Sequence, residues 1–195
     1  MQQTFRRTET DWKMRPGKIL MAALTATLLI LAGCGKASLE TIYNNQETKI
    51  ESFINSLASK TDSLRVEHNA GSHRAIVAEG TGDYLEEDGN IAFYYAGYTF
   101  NGNVSPSGLF ATNSSEVAAG AGFKLEADQA VPVTVKLSEA GLVSGLRNGL
   151  EGVRGGEECY IVFSGKYGFG KKAFGTIPAN SALVYHVWVE SISND

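Results

Sequence analysis

The sequence predicts an α+β fold in which an antiparallel β-sheet wraps around one short α-helix, preceded by an N-terminal amphipathic helix. Two observations support this fold class. Several runs alternate apolar and polar residues, as strands do, and one helix-like run lies between them. The chain of 195 residues is 43% hydrophobic and 10% aromatic, which suits one packed domain plus an extension. One apolar helix stripe covers one apolar sheet face, so this arrangement is the simplest.

Residues 1–33 have the pattern of a lipoprotein signal peptide. Five basic side chains precede Ile19–Ala32, a mostly apolar run that is too short to span a bilayer comfortably. The run ends in Leu-Ala-Gly-Cys at positions 31–34, which matches the bacterial lipobox. We therefore predict cleavage before Cys34 and lipidation of its thiol. An uncleaved membrane anchor with an incidental cysteine is the alternative.

The charge of the processed chain excludes some partners. Removing residues 1–33 takes away five basic and two acidic side chains and leaves 12 basic and 19 acidic, a net charge of −7. Such a chain is repelled by polyphosphate, so we expect no nucleic-acid binding and no polybasic attachment to lipid. Membrane attachment should come from acyl chains on Cys34.

The residue after the lipidated cysteine predicts the localisation. It is Gly35 rather than an acidic residue, and by common sorting rules this predicts that the protein lies at the outer membrane, facing the periplasm.

Residues 34–73 are predicted to be a lipidated tether, an amphipathic helix and a linker. Apolar residues recur at helical spacing along one side of Leu39–Leu57. The stripe consists of Leu39, Ile42, Tyr43, Ile50, Phe53, Ile54 and Leu57. A helix of this kind needs a surface to cover, namely its own domain, a second copy of the chain in a homodimer, or a client. The polar stretch Thr61–Gly71 is interpreted as a linker.

The globular domain is predicted to span residues 74–195. Strands are expected at Arg74–Glu79, Ile91–Phe100, Pro132–Leu137, Glu157–Ser164 and Leu183–Glu190. The helix is expected at Glu139–Leu150, and Asn101–Ala130 is interpreted as an elaborated loop. Successive side chains of a strand point to opposite faces of the sheet, and this strand parity assigns each residue to one face. The face towards this helix would hold Tyr95, Ile161, Phe163, Tyr185 and Val187. The outer face would hold Tyr94, Tyr160, Val162, Val184 and Trp188, an apolar set that we expect the N-terminal helix to cover.

Generic catalytic motifs are absent or incomplete. Cysteine occurs only at Cys34 and Cys159, which excludes a disulfide framework, and no Cys/His cluster has metal-ligand spacing. Gly165–Lys171 matches seven places of the phosphate-binding loop pattern, but Lys172 stands at the eighth and a strand follows instead of a helix. No nucleophile elbow is present. The sequence therefore predicts no metal and no cofactor.

Five short motifs occur together in one order. They are Tyr95-Ala96-Gly97, Gly108-Leu109-Phe110, the segment 142–146, Tyr167-Gly168-Phe169-Gly170 and Ile177-Pro178. In this order and spacing, the chain from about Ile76 to Ile192 resembles the FKBP-type peptidyl-prolyl cis-trans isomerases, here in a bacterial lipoprotein form.

This resemblance implies an apolar bowl between helix, sheet and loops. Carried over residue by residue, the catalytic positions are Tyr95, Phe110, Phe169 and Ile177. The substrate-binding positions are Val133, Leu142, Val143, Leu146 and Tyr185. The resemblance also implies that the backbone N–H of Ile177 holds a substrate carbonyl. The expected partners are proline-containing unfolded or exported polypeptides.

Five positions depart from the family pattern. Ala111 replaces an aspartate, Val133 an aromatic residue, Leu146 a tryptophan and Ala179 a second proline, and Phe169 lacks a tyrosine hydroxyl. These departures predict reduced turnover. The function predicted is a peptidyl-prolyl isomerase that assists the folding of exported proteins at the bacterial cell envelope. The alternative is a chaperone or binding module of the same fold with little or no isomerase activity.

Overall fold

The computed structural model describes residues 38–61, 64–139 and 141–194. The chain divides into two units, Met1–Thr41 and Ile42–Asp195, and the described part of the first is a few helical residues. The predicted signal peptide and Cys34 lie outside the described residues. None of the helices described here combines the length and apolarity needed to cross a membrane.

One antiparallel sheet contains the seven strands of the described residues. They are β1 (Arg65–Asn69), β2 (Ser72–Ala78), β3 (Asn90–Phe100), β4 (Leu109–Thr112), β5 (Val133–Lys136), β6 (Glu158–Phe163) and β7 (Ala182–Ser193). The strand order is β1-β2-β6-β7-β3-β4, and β5 pairs with β3 as well. The longest pairing joins β3 and β7, from Asn90 opposite Ser193 to Phe100 opposite Ala182. This pair forms the centre of the sheet.

Three helices accompany the sheet in the described residues. They are α1 at residues 38–58, α2 at Ser115–Ala121 and α3 at Ser144–Leu150. Helix α3 lies directly on the inner face because glycine faces β6 on two successive turns. A Cβ on Gly145 would lie 2.3 Å from the ring of Phe163, and one on Gly149 would lie 2.2 Å from Ile161. The predicted α+β fold, a sheet packed on a short helix, is confirmed.

Helix α1 covers the outer face of the sheet within its own chain. Its Ile50, Phe53 and Ile54 are buried in an apolar cluster with the outward residues Val162 and Val184. Tyr160 and Trp188 pack against the same cluster, whereas Ile161, Phe163, Tyr185 and Val187 belong to the inner core. The predicted parity and the predicted covering helix are therefore confirmed for these residues. Tyr94 is half-buried, and so is Trp188.

Two sequence-based assignments, the linker 61–71 and the loop 101–130, are wrong in part. Residues Arg65–Asn69 of the predicted linker form β1, which pairs with β2, so the sheet begins before residue 74. The predicted loop 101–130 contains β4 and α2. The Ser114 hydroxyl caps α2 by accepting from the N–H of Val117, and Gly122 ends the helix at φ 63°. These short elements were missed because polar and small residues also predominate in loops.

The central helix is shorter than predicted. It begins at Ser144 rather than Glu139, because Val143 has an extended backbone with φ −60° and ψ 144°. Leu142 and Val143 therefore precede α3 instead of lying on its face. Leu142 and Val143 are apolar because they line a cavity. In the sequence, their spacing to Leu146 and Leu150 is the same as that of an apolar helix stripe.

Candidate functional site

A cavity of about 340 Å³ opens on the inner face of the sheet beside α3. Its lining is almost entirely apolar and carries no charged side chain. The lining residues are Phe93, Tyr95, Phe110, Ala111, Val133, Val135, Gly141, Leu142, Val143, Leu146, Phe169, Phe174, Gly175, Thr176, Ile177 and Tyr185. We call this cavity the bowl. All nine site residues predicted from the sequence line it, so the structure brings the whole set together.

Aromatic rings on β3, β4 and β7 form one wall of the bowl. The ring of Tyr185 lies 5.8 Å from that of Phe110 in an edge-to-face arrangement and 6.2 Å from that of Tyr95. Phe110 can lie against β3 only because residue 97 is glycine: a Cβ there would come within 2.7 Å of its ring. The Tyr-Ala-Gly motif at 95–97 therefore supplies both a lining ring and the space beside it.

Two tyrosine hydroxyls are held in this apolar setting. Burial raises the pKa of Tyr95, and burial together with neighbouring Tyr95 raises the pKa of Tyr185. Both phenols therefore remain protonated at neutral pH. Each keeps an O–H donor available for a carbonyl in the bowl.

The loop between β6 and β7 supplies the opposite wall. Phe169 and Phe174 stack with ring centroids 4.6 Å apart and planes 5° apart. Phe174 is 62% exposed, so the pair forms a lip between the bowl and solvent, while Ile177 is buried beneath it. Phe169 occupies its predicted place. Phe174 had no sequence signal, since it stands in a polar, glycine-rich stretch.

The predicted role for the backbone N–H of Ile177 is contradicted. This N–H donates to the carbonyl of Phe174 at 2.9 Å, and the N–H of Phe174 donates back to Ile177, also at 2.9 Å. The two residues form an isolated β-bridge around Gly175 and Thr176. Ile177 therefore lines the bowl with its side chain, and its N–H already has an acceptor.

A different backbone donor lies at the bowl. Val143 lines the cavity, and its N–H donates to no other described residue. It stands immediately before α3 in an extended conformation. Its N–H could therefore donate to a carbonyl oxygen of a bound peptide.

Helix α1 holds both ends of the loop that carries the lip. The Gln46 side-chain amide accepts from the N–H of Gly165 at 2.9 Å and donates to the carbonyl of Asn180 at 2.8 Å. Tyr43 donates its hydroxyl to Asn180 Oδ1 at 3.0 Å. Sequence reasoning missed Gln46. The available signal was its spacing, because a polar residue three after Tyr43 and four before Ile50 lies on the apolar side of the helix.

Other lining residues were also missed. Phe93 and Val135 lie two residues from the predicted Tyr95 and Val133 on the same strands. Strand parity places them on the same face, so the sequence contained that signal.

Among the described residues, no group of three or more His, Cys, Asp or Glu side chains is placed to hold a metal ion.

The family model described as FKBP-type peptidyl-prolyl cis-trans isomerase matches residues 85–190. The chain is 25% identical over 118 residues to FK506-binding protein 1 of Aspergillus oryzae, covering 60% of this chain and 94% of that protein.

Solved structures give the same fold. FkpA from Escherichia coli matches with a TM-score of 0.52 at 20% identity, covering 93% of this chain and 74% of that one. A peptidyl-prolyl cis-trans isomerase from Pseudomonas syringae pv. tomato matches with a TM-score of 0.52 at 18% identity, covering 77% and 95% respectively. The match to the family model spans more than half of the sequence, with the apolar bowl inside it, and the chain belongs to the FKBP-type peptidyl-prolyl cis-trans isomerase family.

Proposed function

We propose that this chain is a peptidyl-prolyl cis-trans isomerase that assists the folding of exported proteins at the bacterial cell envelope. The observation that carries the proposal is the bowl, in which all nine predicted residues meet around an uncharged, aromatic-walled cavity. Its polypeptide partners would be unfolded or exported chains that present proline.

The chemistry requires no nucleophile. Rotation about an X-Pro amide has a barrier of ~20 kcal/mol, because resonance gives the C–N bond partial double-bond character. The planar amide is polar and well solvated, whereas the twisted transition state has lost resonance. An apolar bowl that removes water and fits the twisted proline ring therefore favours the transition state over the ground state. The stacked Phe169–Phe174 lip would close the bowl against solvent.

Backbone and hydroxyl donors would orient the substrate. The N–H of Val143 would hold one peptide carbonyl, and the protonated hydroxyls of Tyr95 and Tyr185 would be further donors, since all three residues line the bowl. If the carbonyl on one side of the rotating bond is held in place, the binding energy can stabilise the twisted amide and not only the bound chain.

We also propose that the chain is a lipoprotein anchored through Cys34, at the outer membrane facing the periplasm. The lipobox at 31–34 and the net charge of −7 after residue 33 support acyl rather than electrostatic attachment. The Cys34→Ser variant should lose its lipid label and accumulate as precursor or soluble protein. Membrane partitioning that survives this substitution, with no label in the wild type, would contradict the proposal.

The isomerase proposal is tested by NMR exchange on a short X-Pro peptide with the fragment that starts at Gly35. The fragment should accelerate cis-trans exchange. Phe169→Ala should slow it about tenfold, since it removes half of the lip. Thr134→Ala is the matched control, because Thr134 is exposed on β5 and does not line the bowl. Exchange no faster than in buffer would contradict isomerase activity.

A binding module with little activity is the second candidate. It is favoured by Ala111 and Phe169, which line the bowl without the carboxylate and hydroxyl found in the family pattern. Peptide binding at the bowl without acceleration of exchange would establish this candidate.

A further inference from the structure

The segment 159–189 carries positive charge in an otherwise acidic chain. It contains Lys166, Lys171 and Lys172 and no aspartate or glutamate, whereas the processed chain as a whole has a net charge of −7. Lys171 and Lys172 are exposed, and neither forms an ion pair with another described residue. The positive charge of this segment is therefore available to an anionic surface.

The two exposed lysines are followed closely by an exposed aromatic ring. Residues 171–176 are all exposed, and we call them the exposed loop. Among the described large apolar residues, Phe174 has the highest exposure, 62%. A phenylalanine beside lysines is a composition that suits a lipid interface. The ring can enter the boundary between headgroups and acyl chains, while the ammonium groups stay among the headgroups.

The N-terminal half of α1 is bonded to both ends of the segment that carries the exposed loop. Tyr43 donates its hydroxyl to Asn180 at 3.0 Å, and the amide of Gln46 bonds to Gly165 and Asn180. Ile42, which precedes Tyr43, is 40% exposed. From Ile42 the helix continues for about 24 Å to its end at residue 58. The exposed loop therefore belongs to the end of the domain at which α1 enters it.

The proposed lipid anchor is close to the same end of the domain in the chain. Cys34 stands eight positions before Ile42, a distance that even a fully extended chain limits to about 29 Å. Residues 35–41 contain one lysine and one glutamate and add no net charge. Acyl chains on Cys34 would therefore hold the domain by the end that carries the exposed loop.

We propose that the exposed loop lies on the surface of an anionic phospholipid membrane when the protein is anchored, with Phe174 in the interface and Lys171 and Lys172 among the headgroups. This inference rests on the proposed anchor at Cys34. The acyl chains attach the protein, and the loop sets its orientation. Because Phe174 forms half of the lip, the bowl then lies next to the membrane and acts on polypeptide segments there.

The test places a tryptophan in the exposed loop of the lipidated protein. The wild type and Phe174→Trp are purified with their acyl chains and reconstituted into vesicles of phosphatidylethanolamine and phosphatidylglycerol with brominated acyl chains. Trp188 is the single tryptophan of the processed chain, so subtracting the wild-type emission isolates the new residue. The emission added by Phe174→Trp should shift to the blue and be quenched about twofold by the brominated lipid.

Tyr84→Trp is the matched control for depth. Tyr84 is 55% exposed, and its carbonyl accepts from Asn194, just beyond the end of β7 that lies opposite Ala182 and the exposed loop. The emission added by Tyr84→Trp should not be quenched. Equal quenching in the two variants, or none in Phe174→Trp, would overturn the proposed orientation.

Charge reversal tests the lysines. Lys172→Glu, combined with Phe174→Trp, should remove most of the quenching, and so should replacing phosphatidylglycerol with phosphatidylcholine. Lys60→Glu, exposed beyond the other end of α1, should leave the quenching unchanged. Quenching that survives both Lys172→Glu and the neutral lipid would overturn the role of anionic headgroups.

Mass spectrometry of the N-terminal peptide separates the anchor from the orientation. A Cys34 without acyl chains would refute the anchor and the inference that rests on it. An acylated Cys34 without quenching in Phe174→Trp would refute the orientation alone. Neither readout depends on isomerisation, so an inactive protein with a quenched loop would overturn the isomerase activity and leave the membrane contact established.

Discussion

The side-chain amide of Gln46 donates to the backbone carbonyl of Asn180 at 2.8 Å, joining the N-terminal helix to the end of the bowl's loop. The same amide accepts from Gly165 at the other end of that loop. One side chain therefore fixes both stems of the segment that carries Phe169, Phe174 and Ile177. The helix that covers the outer face of the sheet is coupled by these contacts to the bowl on the inner face.

Replacing Gln46 should loosen the loop without unfolding the domain. Each lost hydrogen bond is worth about 1 kcal/mol. In Gln46→Ala, amide hydrogen exchange at Gly165 should therefore rise about fivefold, and kcat/KM for an X-Pro peptide should fall. Asn45→Ala is the matched control, because Asn45 is exposed on the same helix.

Gln46→Glu separates the two bonds. A carboxylate still accepts from Gly165 but cannot donate to the carbonyl of Asn180. The N–H of Gly165 should stay protected in this variant while the Asn180 stem becomes more mobile. Unchanged exchange and unchanged rate in Gln46→Ala would show that the coupling has no effect on the bowl.

Val143→Pro tests the backbone donor at the bowl. Proline removes the N–H, and its φ near −65° fits the observed φ of −60° at Val143. Val143→Ala trims the side chain and keeps the N–H. We expect kcat/KM to be about five- to tenfold lower in Val143→Pro than in Val143→Ala. Equal rates in the two variants, both with wild-type circular dichroism, would exclude this N–H as a substrate donor.

Phe53→Ala tests the cover on the outer face. Phe53 is 9% exposed, and its ring lies edge-on to Phe100 at 5.3 Å and to Tyr160 at 5.9 Å. Its truncation should lower the free energy of unfolding by about 3 kcal/mol, measured in urea. Ile42→Ala on the same helix should change it by less than about 0.5 kcal/mol, because Ile42 is 40% exposed. Similar losses in both variants would contradict packing of the Phe53 ring as the source of the effect, because alanine has a higher helix propensity than phenylalanine or isoleucine.

His186 should make stability depend on pH. Burial lowers the pKa of His186, partly offset by its contact with Glu158 at 2.8 Å. The folded state therefore binds a proton less readily than the unfolded state, whose histidine pKa is about 6.5. Unfolding free energy should fall as pH drops below about 6.5, towards the lower pKa of the folded state.

His186→Gln keeps an amide donor for Glu158 and removes the titration. As pH falls from about 7 to 5, the wild type should lose unfolding free energy relative to the variant. A difference that is constant across this range would contradict the lowered pKa.

The sequence predicted five of the seven strands and their parity, because alternation is a local property of the chain. All nine bowl residues followed from the resemblance to the family, which depends on short motifs in a fixed order. Parity was enough to place Val162 and Val184 outside and Phe163 and Tyr185 inside, and an apolar helix stripe was enough to predict a cover for the outer face. The lip residue Phe174, the start of α3 and the elements within 101–130 were not predicted, since their patterns fit more than one local structure.

By itself, the sequence determined the fold class, the family and which side chains face which side of the sheet, because side-chain period and motif order do not depend on distant contacts. Only the tertiary structure decided which backbone donors remain available. The N–H of Ile177 is used by Phe174, whereas that of Val143 donates to no other described residue. It also brought Gln46 to Gly165 and Asn180, more than a hundred residues away along the chain. Hydrogen-bond pairing depends on distances between segments, and those distances exist only after the helix has packed on the sheet.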